Sequence, residues 1–118
     1  MSETDSGRID YVEFPARDIA GTKRFFQDLF GWEFQDYGPD YTCFRDGRLA
    51  GGFYRAERCA TVDGGSALIV FRGEDLEALV ERVRQLGGTV SREIFSFPGG
   101  RRFHFLDPSG NEFAIWAP

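Results

Sequence analysis

Tyr11 and Glu13 stand two residues apart in the stretch DYVEFP, alternating with Val12 and Phe14. In an extended strand that spacing puts the phenol and the carboxylate on one face and the two apolar side chains on the other. A carboxylate among aromatic side chains is costly to ionise unless paired, which makes Glu13 a candidate proton acceptor or ligand anchor. The plainer alternative is a strand-end glutamate paired to an arginine or reached by solvent. His104, the single histidine, lies in RRFHFL and is a candidate general base or ligand-binding group. Its strand is apolar on both sides, so alternation leaves its face open. Trp116, in NEFAIW, shares a face with Glu112 and Ala114 and offers a ring to stack on a planar ligand or on another subunit. Arg101 and Arg102, after FPGG, form either a solvated hairpin or an anion clamp.

The elements that must position these residues come in two copies. VEFPARDIAGTKRFFQDLFG and IVFRGEDLEALVERVRQLGG align so that Phe14 meets Phe71, Asp18 meets Asp75 and Ile19 meets Leu76. Each copy reads as a strand, a short loop and a helix that starts at an aspartate suited to accept free backbone N–H groups. Leu76, Leu79, Val80, Val83 and Leu86 recur at three- and four-residue steps, as do Ile19, Phe25, Phe26, Leu29 and Phe30, so each helix has one apolar stripe. Gly31 and Gly87 supply the left-handed residue that ends each helix. The tails CFRDGRLAGGF and HFLDPSGNEFAIW match as well. With two extra turn residues allowed, Gly51 falls opposite Ala114.

An α+β fold follows, with two tandem βαβββ modules whose curved mixed sheets surround a concave cavity, helices outside. Module one is expected at about 8–57 and module two at about 65–118, within one domain over 8–118 behind a frayed polar leader at 1–7.

Composition narrows the function. A net charge of -5 with Lys23 as the only lysine argues against a nucleic-acid surface, which needs clustered cations. No apolar run approaches the roughly 20 residues needed to cross a bilayer, and no signal peptide is evident, so a soluble cytoplasmic protein with no membrane partner is expected. Cys43 and Cys59 lack CxxC spacing and read as ordinary thiols, with a disulfide between them left open. No Ser-His-Asp order, phosphate loop or nucleotide fingerprint is discernible.

FPARDIAGTKRFFQDLFGWEF and DPSGNEFAIW resemble the first strand-helix and the last turn-strand of the vicinal oxygen chelate superfamily, which includes glyoxalase I, bleomycin-resistance proteins and extradiol dioxygenases. The resemblance runs from Arg8 to Pro118. In metal-using relatives it implies a histidine on the first strand of each module and a glutamate on the last, forming an open Lewis-acid site. Here those positions are Tyr11, Leu68, Gly51 and Ala114, so neither a metal nor another cofactor is expected.

The favoured reading is a metal-independent binding protein for a small amphiphilic or aromatic molecule, held in a cleft lined by Tyr11, Glu13, Phe53 and Trp116, with His104 as a further ligand-binding candidate. Whether it also performs simple proton chemistry is left open. Exposed aromatics, among them Phe53, Tyr54 and Trp116, point to a homodimer. Two alternatives stand beside this reading: a metal-dependent lyase or dioxygenase of the same superfamily, and a non-catalytic dimeric interaction module.

Overall fold

Asp18 and Asp75 open the two helices. The Asp18 carboxylate accepts the Gly21 amide at 2.9 Å at the start of α1 (Ile19–Phe30). Asp75 accepts the Ala78 amide at 3.2 Å at the start of α2 (Leu76–Gln85). Gly31, at φ 73°, turns the chain out of α1 and returns its N–H to the Gln27 carbonyl at 3.0 Å, the left-handed ending that a residue with a β-carbon resists. The computed structural model describes residues 6–118. Residues 1–5 of the expected leader lie outside the described residues.

Around these helices run β1 (Tyr11–Ala16), β2 (Glu33–Asp36), β3 (Tyr41–Arg45) and β4 (Ala50–Arg55), then β5 (Ile69–Arg72), β6 (Thr89–Phe97), β7 (Gly100–Leu106) and β8 (Glu112–Ala117). They form two mixed four-stranded sheets of the same topology, ordered β1-β4-β3-β2 and β5-β8-β7-β6. In each sheet the first and last strands of the module pair in parallel. The chain is thus a tandem βαβββ repeat, and neither sheet closes.

The helix-facing sides of both sheets share one aromatic core. Phe14 meets Phe113 edge-on at 5.1 Å, and Phe26 packs on Phe53 at 5.8 Å and on Phe113 at 5.4 Å. Trp32 stacks between Phe26, at 4.5 Å, and Phe44, at 4.4 Å. Burying such rings is the main stabilising term available to a chain of this size.

The turn Asp107 to Asn111 stitches the modules together. Asn111, fully buried, donates to the Pro15 carbonyl at 2.7 Å and accepts the Ala60 amide at 2.8 Å. Ser109 shares a hydrogen bond of 2.7 Å with Thr22 of α1 and accepts the Asp18 amide at 3.1 Å. Asp107 holds the turn by accepting the Ser109 and Asn111 amides at 2.9 and 3.0 Å. Burial pushes its carboxyl up to about 6, against the pull of these bonds.

Register corrects one expectation. Phe14 pairs with Phe53 across β1 and β4, and Phe71 pairs with Ile115 across β5 and β8. Since Phe14 and Phe71 correspond, so do Phe53 and Ile115, and the residue corresponding to Ala114 is Gly52, not Gly51. The second tail has one extra turn residue, not two. Because a shift of one residue flips every side chain to the other sheet face, the same slip misplaced Phe53. Phe53 is completely buried in the core beside Phe14 and lines no cleft.

Candidate functional site

The side of each sheet that faces away from the helices carries the polar candidates. On the first sheet, Tyr11 and Glu13 project from β1 on one face, because Val12 and Phe14 pack toward the core. Pairing adds neighbours that alternation within one strand does not show. Tyr41 and Cys43 of β3 stand opposite Tyr54 and Gly52 of β4, and Gly52 in turn stands opposite Glu13.

These side chains form a relay. The Tyr41 hydroxyl donates to Glu13 Oε2 at 2.8 Å. Tyr11 shares a short hydrogen bond with Tyr41 and lies 3.0 Å from the Cys43 sulfur. Burial, the Cys43 bond and the Tyr41 bond push the Tyr11 phenol well above its ordinary value. Burial raises Tyr41 too, and the Glu13 carboxylate adds to the rise, while the bond to Tyr11 acts the other way. Both phenols therefore stay protonated near neutrality and act as donors, leaving Glu13 as the acceptor that ends the chain.

Gly52 makes this arrangement possible. A β-carbon there would run into the Tyr41 ring and hydroxyl and come within 2.9 Å of the Tyr11 hydroxyl. The two phenols fill the space above the strand position at which metal-using relatives are expected to carry a carboxylate. At the four expected ligand positions the chain has Tyr11, Leu68, Gly52 and Ala114, which include no imidazole and no carboxylate. This donor set does not fit a metal ion, since an imidazole or carboxylate ligand is replaced by a methyl, an isobutyl, no side chain and a phenol that resists ionisation.

On the second sheet, His104 and Ala114 are paired residues on the outward face, and Trp116 lies two residues further along β8. His104 is 5% exposed, and its Nδ1 lies 3.0 Å from Glu112 Oε2. Glu112 also accepts the Val62 amide at 3.1 Å. Burial raises the Glu112 carboxyl, but the His104 bond, the Val62 amide and the charge of His104 outweigh it and hold the group below the usual carboxylate range. An ionised carboxylate only accepts, so His104 Nδ1 is the donor. His104 Nε2 is enclosed and has no partner among the described residues. The Arg72 guanidinium lies 5.2 Å above the Trp116 ring.

Tyr11 and Glu13 thus share one outward face, and His104 and Trp116 share another. Within one chain these faces do not meet. The cleft at Tyr11, about 530 Å³, is lined by Gln35, Tyr37, Cys43 and Arg45 among others. The cleft at His104, about 480 Å³, is lined by Thr61, Asp63, Ser91 and Glu112 among others, and no residue lines both. Tyr41, Cys43 and Gly52 were not singled out by sequence reasoning. The alternation of Tyr41 and Cys43 against buried Thr42 and Phe44 in YTCFR was the available signal, but their partners are set by sheet register.

Comparison with known proteins agrees with this architecture. A family model described as the Glyoxalase/Bleomycin resistance protein/Dioxygenase superfamily matches residues 8–115. The anthracycline biosynthesis protein DauV of Streptomyces sp. (strain C5) is 30% identical over 98% of the chain, which spans only 49% of that relative's length. A glyoxylase-like domain-containing protein of Didymella fabae is 27% identical over 92% of both chains. Among solved structures, a glyoxalase-related enzyme from Fulvimarina pelagi superposes with a TM-score of 0.78 at 17% identity, covering 95% of this chain and 88% of that one. The fosfomycin resistance protein FosX of Listeria monocytogenes also gives 0.78, at 18% identity over 95% and 93% of the two chains. These two likenesses are of fold.

Proposed function

Because the chain belongs to the glyoxalase/bleomycin resistance protein/dioxygenase superfamily, we propose that it binds a small amphiphilic or aromatic molecule against the Tyr11–Glu13 face without a catalytic metal. The observation that carries this reading is the phenol pair lying over Gly52, where a ligating side chain would otherwise project. Tyr41 orients Glu13, Tyr11 offers its hydroxyl at the exposed end of the relay, and Glu13 accepts a hydrogen bond or a proton from the bound molecule. The name of the DauV relative supports an aromatic ligand.

A homodimer belongs to the same reading. Tyr11, Tyr54 and Val70 are 39%, 36% and 41% exposed on the outward faces, and each face holds only part of the candidate set. Pairing a first-sheet face with a second-sheet face of another copy would cover both and enclose a ligand between them.

Native mass spectrometry of freshly purified protein tests the reading by the mass that accompanies it, and titrating that compound into Glu13→Gln should show affinity about tenfold or more below the parent, as for a hydrogen bond to a charged group. Melting scans with nickel, zinc, iron or manganese should move little, whereas a metal at 100 times its dissociation constant would add about 2.7 kcal/mol. A large metal-dependent rise in melting temperature, or equal affinity of Glu13→Gln and the parent, would defeat the proposal.

A further inference from the structure

Three arginines on the outward face of the second sheet form no ion pair with a carboxylate of the described residues. The cations that do are Lys23, Arg84 and Arg101, with His104 beside Glu112. Register gathers the three on one face: Arg72 stands opposite Trp116, Trp116 opposite Arg102, Arg102 opposite Phe95, and Arg92 opposite His104. They lie over rings instead. Arg92 is 3.7 Å and Arg102 5.3 Å from the Phe95 centroid, and Arg72 covers Trp116. The carboxylate on β8 that shares this face, Glu112, is already engaged by His104 and the Val62 amide. Many arginines of this chain lack an ion pair among the described residues, but three gathered over aromatic rings on one face give a cationic, aromatic surface suited to a planar anion.

Two enclosed nitrogens on this face have no partner among the described residues: Arg102 Nε and His104 Nε2. A buried polar atom without a partner is destabilising. The first can only donate. The second accepts or donates according to the protonation of the imidazole, because Nδ1 already donates to Glu112. Their residues are two apart on β7, about 7 Å along the strand, with the Trp116 ring alongside.

We infer that this face binds a planar aromatic anion bearing a hydroxyl group, its oxyanion on Arg72 and Arg102, its ring against Trp116 and its hydroxyl hydrogen-bonded to His104 Nε2. The cleft at His104 holds two carboxylates, Asp63 and Glu112, beside Arg92, whereas Arg72 and Arg102 flank Trp116 from both neighbouring strands, and this difference sets the orientation. Phe95, with its ring 5.9 Å from that of His104, and Arg92, paired with His104, border the enclosed imidazole. They belong to an edge strand whose register breaks between Val90 and Arg92 and again between Arg92 and Phe95, the kind of bulged segment that moves with little loss of ladder bonding. The inference rests on the small-molecule reading above but uses different residues.

The test is titration of 6-hydroxy-2-naphthoate, whose hydroxyl and carboxylate lie at opposite ends of the ring system, into the full chain, followed by tryptophan emission and calorimetry, with 2-naphthoate and the methyl ester as controls. Saturable binding is expected, weakened about tenfold or more in Arg72→Gln and Arg102→Gln and in the ester, as for charge-assisted bonds. His104→Asn should weaken the hydroxynaphthoate and leave 2-naphthoate unchanged. Arg72 is exposed, so its variant folds even if Arg102→Gln does not. Equal binding of acid and ester, indifference to Arg72→Gln, or no binding at all overturns the inference. A dimer that Arg72→Gln dissociates, in a protein that ignores the probe, would make this face a subunit contact instead. Binding that responds to Glu13→Gln but to neither arginine variant overturns the inference and leaves the first-sheet proposal standing.

Discussion

Gly52 lies directly beneath the Tyr41 hydroxyl, so close that a β-carbon on the strand would collide with it. The missing side chain and the added phenol are two halves of one feature. The space above β4 is taken by Tyr41 and Tyr11, which reach across from β3 and β1 and end on Glu13. Gly52→Ala should therefore cost about 1–3 kcal/mol by overpacking, while also pulling Tyr41 from Glu13. Urea unfolding reads the stability loss, and a variant as stable as the parent with unchanged phenol titration would show that the space is not filled as described.

Base titration followed by phenolate absorbance reads the relay itself. Of the four tyrosines, Tyr11 and Tyr41 should ionise later than an ordinary phenol, both because burial opposes the charge. Glu13→Gln removes a carboxylate that raises Tyr41, so one phenol should move to lower pH in that variant. Four phenols titrating together in the parent would contradict the relay.

Asn111→Ala removes the partner of the buried Pro15 carbonyl and of the Ala60 amide at once. Leaving those groups unsatisfied should destabilise the fold by about 2–5 kcal/mol. Loss below about 1 kcal/mol in denaturant unfolding would mean that the turn does not hold the two modules together.

Asp107 gives a pH dependence of definite sign. Its carboxyl rises on folding from 3.8 to about 6, so between these values the folded chain binds the extra proton. Stability contributed by this group is present at low pH and is lost as pH rises from about 4 to about 6, by an amount on the order of 3 kcal/mol. Subtracting the pH profile of Asp107→Asn from that of the parent isolates the term from Glu112, which acts in the opposite sense. A difference that grows with pH would reverse the assignment.

Sedimentation at micromolar concentration should show a dimer, and Val70→Asp, which places a charge on an exposed apolar residue of the second sheet's outward face, should shift it toward monomer. A parent that sediments as a monomer would remove the dimer from the proposed function.

The amino-acid sequence by itself determined the repeat and the local elements. Phe14 and Phe71 mark equivalent strands, Asp18 and Asp75 cap equivalent helices, and Gly31 ends the first at a left-handed turn, because capping, stripe periodicity and glycine conformation act within a few residues of chain. Alternation likewise put Tyr11 and Glu13 on one face. What alternation cannot supply is the phase of one strand against another. Phe53 and Gly51 share a parity, and only the pairing of Phe14 with Phe53 shows that this parity points into the core. In FHFL both neighbours of His104 are apolar, and the pairing of His104 with Ala114 decides its face. Tyr41 meets Glu13 across 28 residues of chain, a contact that exists only because β3 and β1 both flank β4. A strand slipped by one residue, about 3.3 Å, would turn its side chains the other way, and register is set by hydrogen bonds between distant strands and by the shared aromatic core, which only the folded chain brings together.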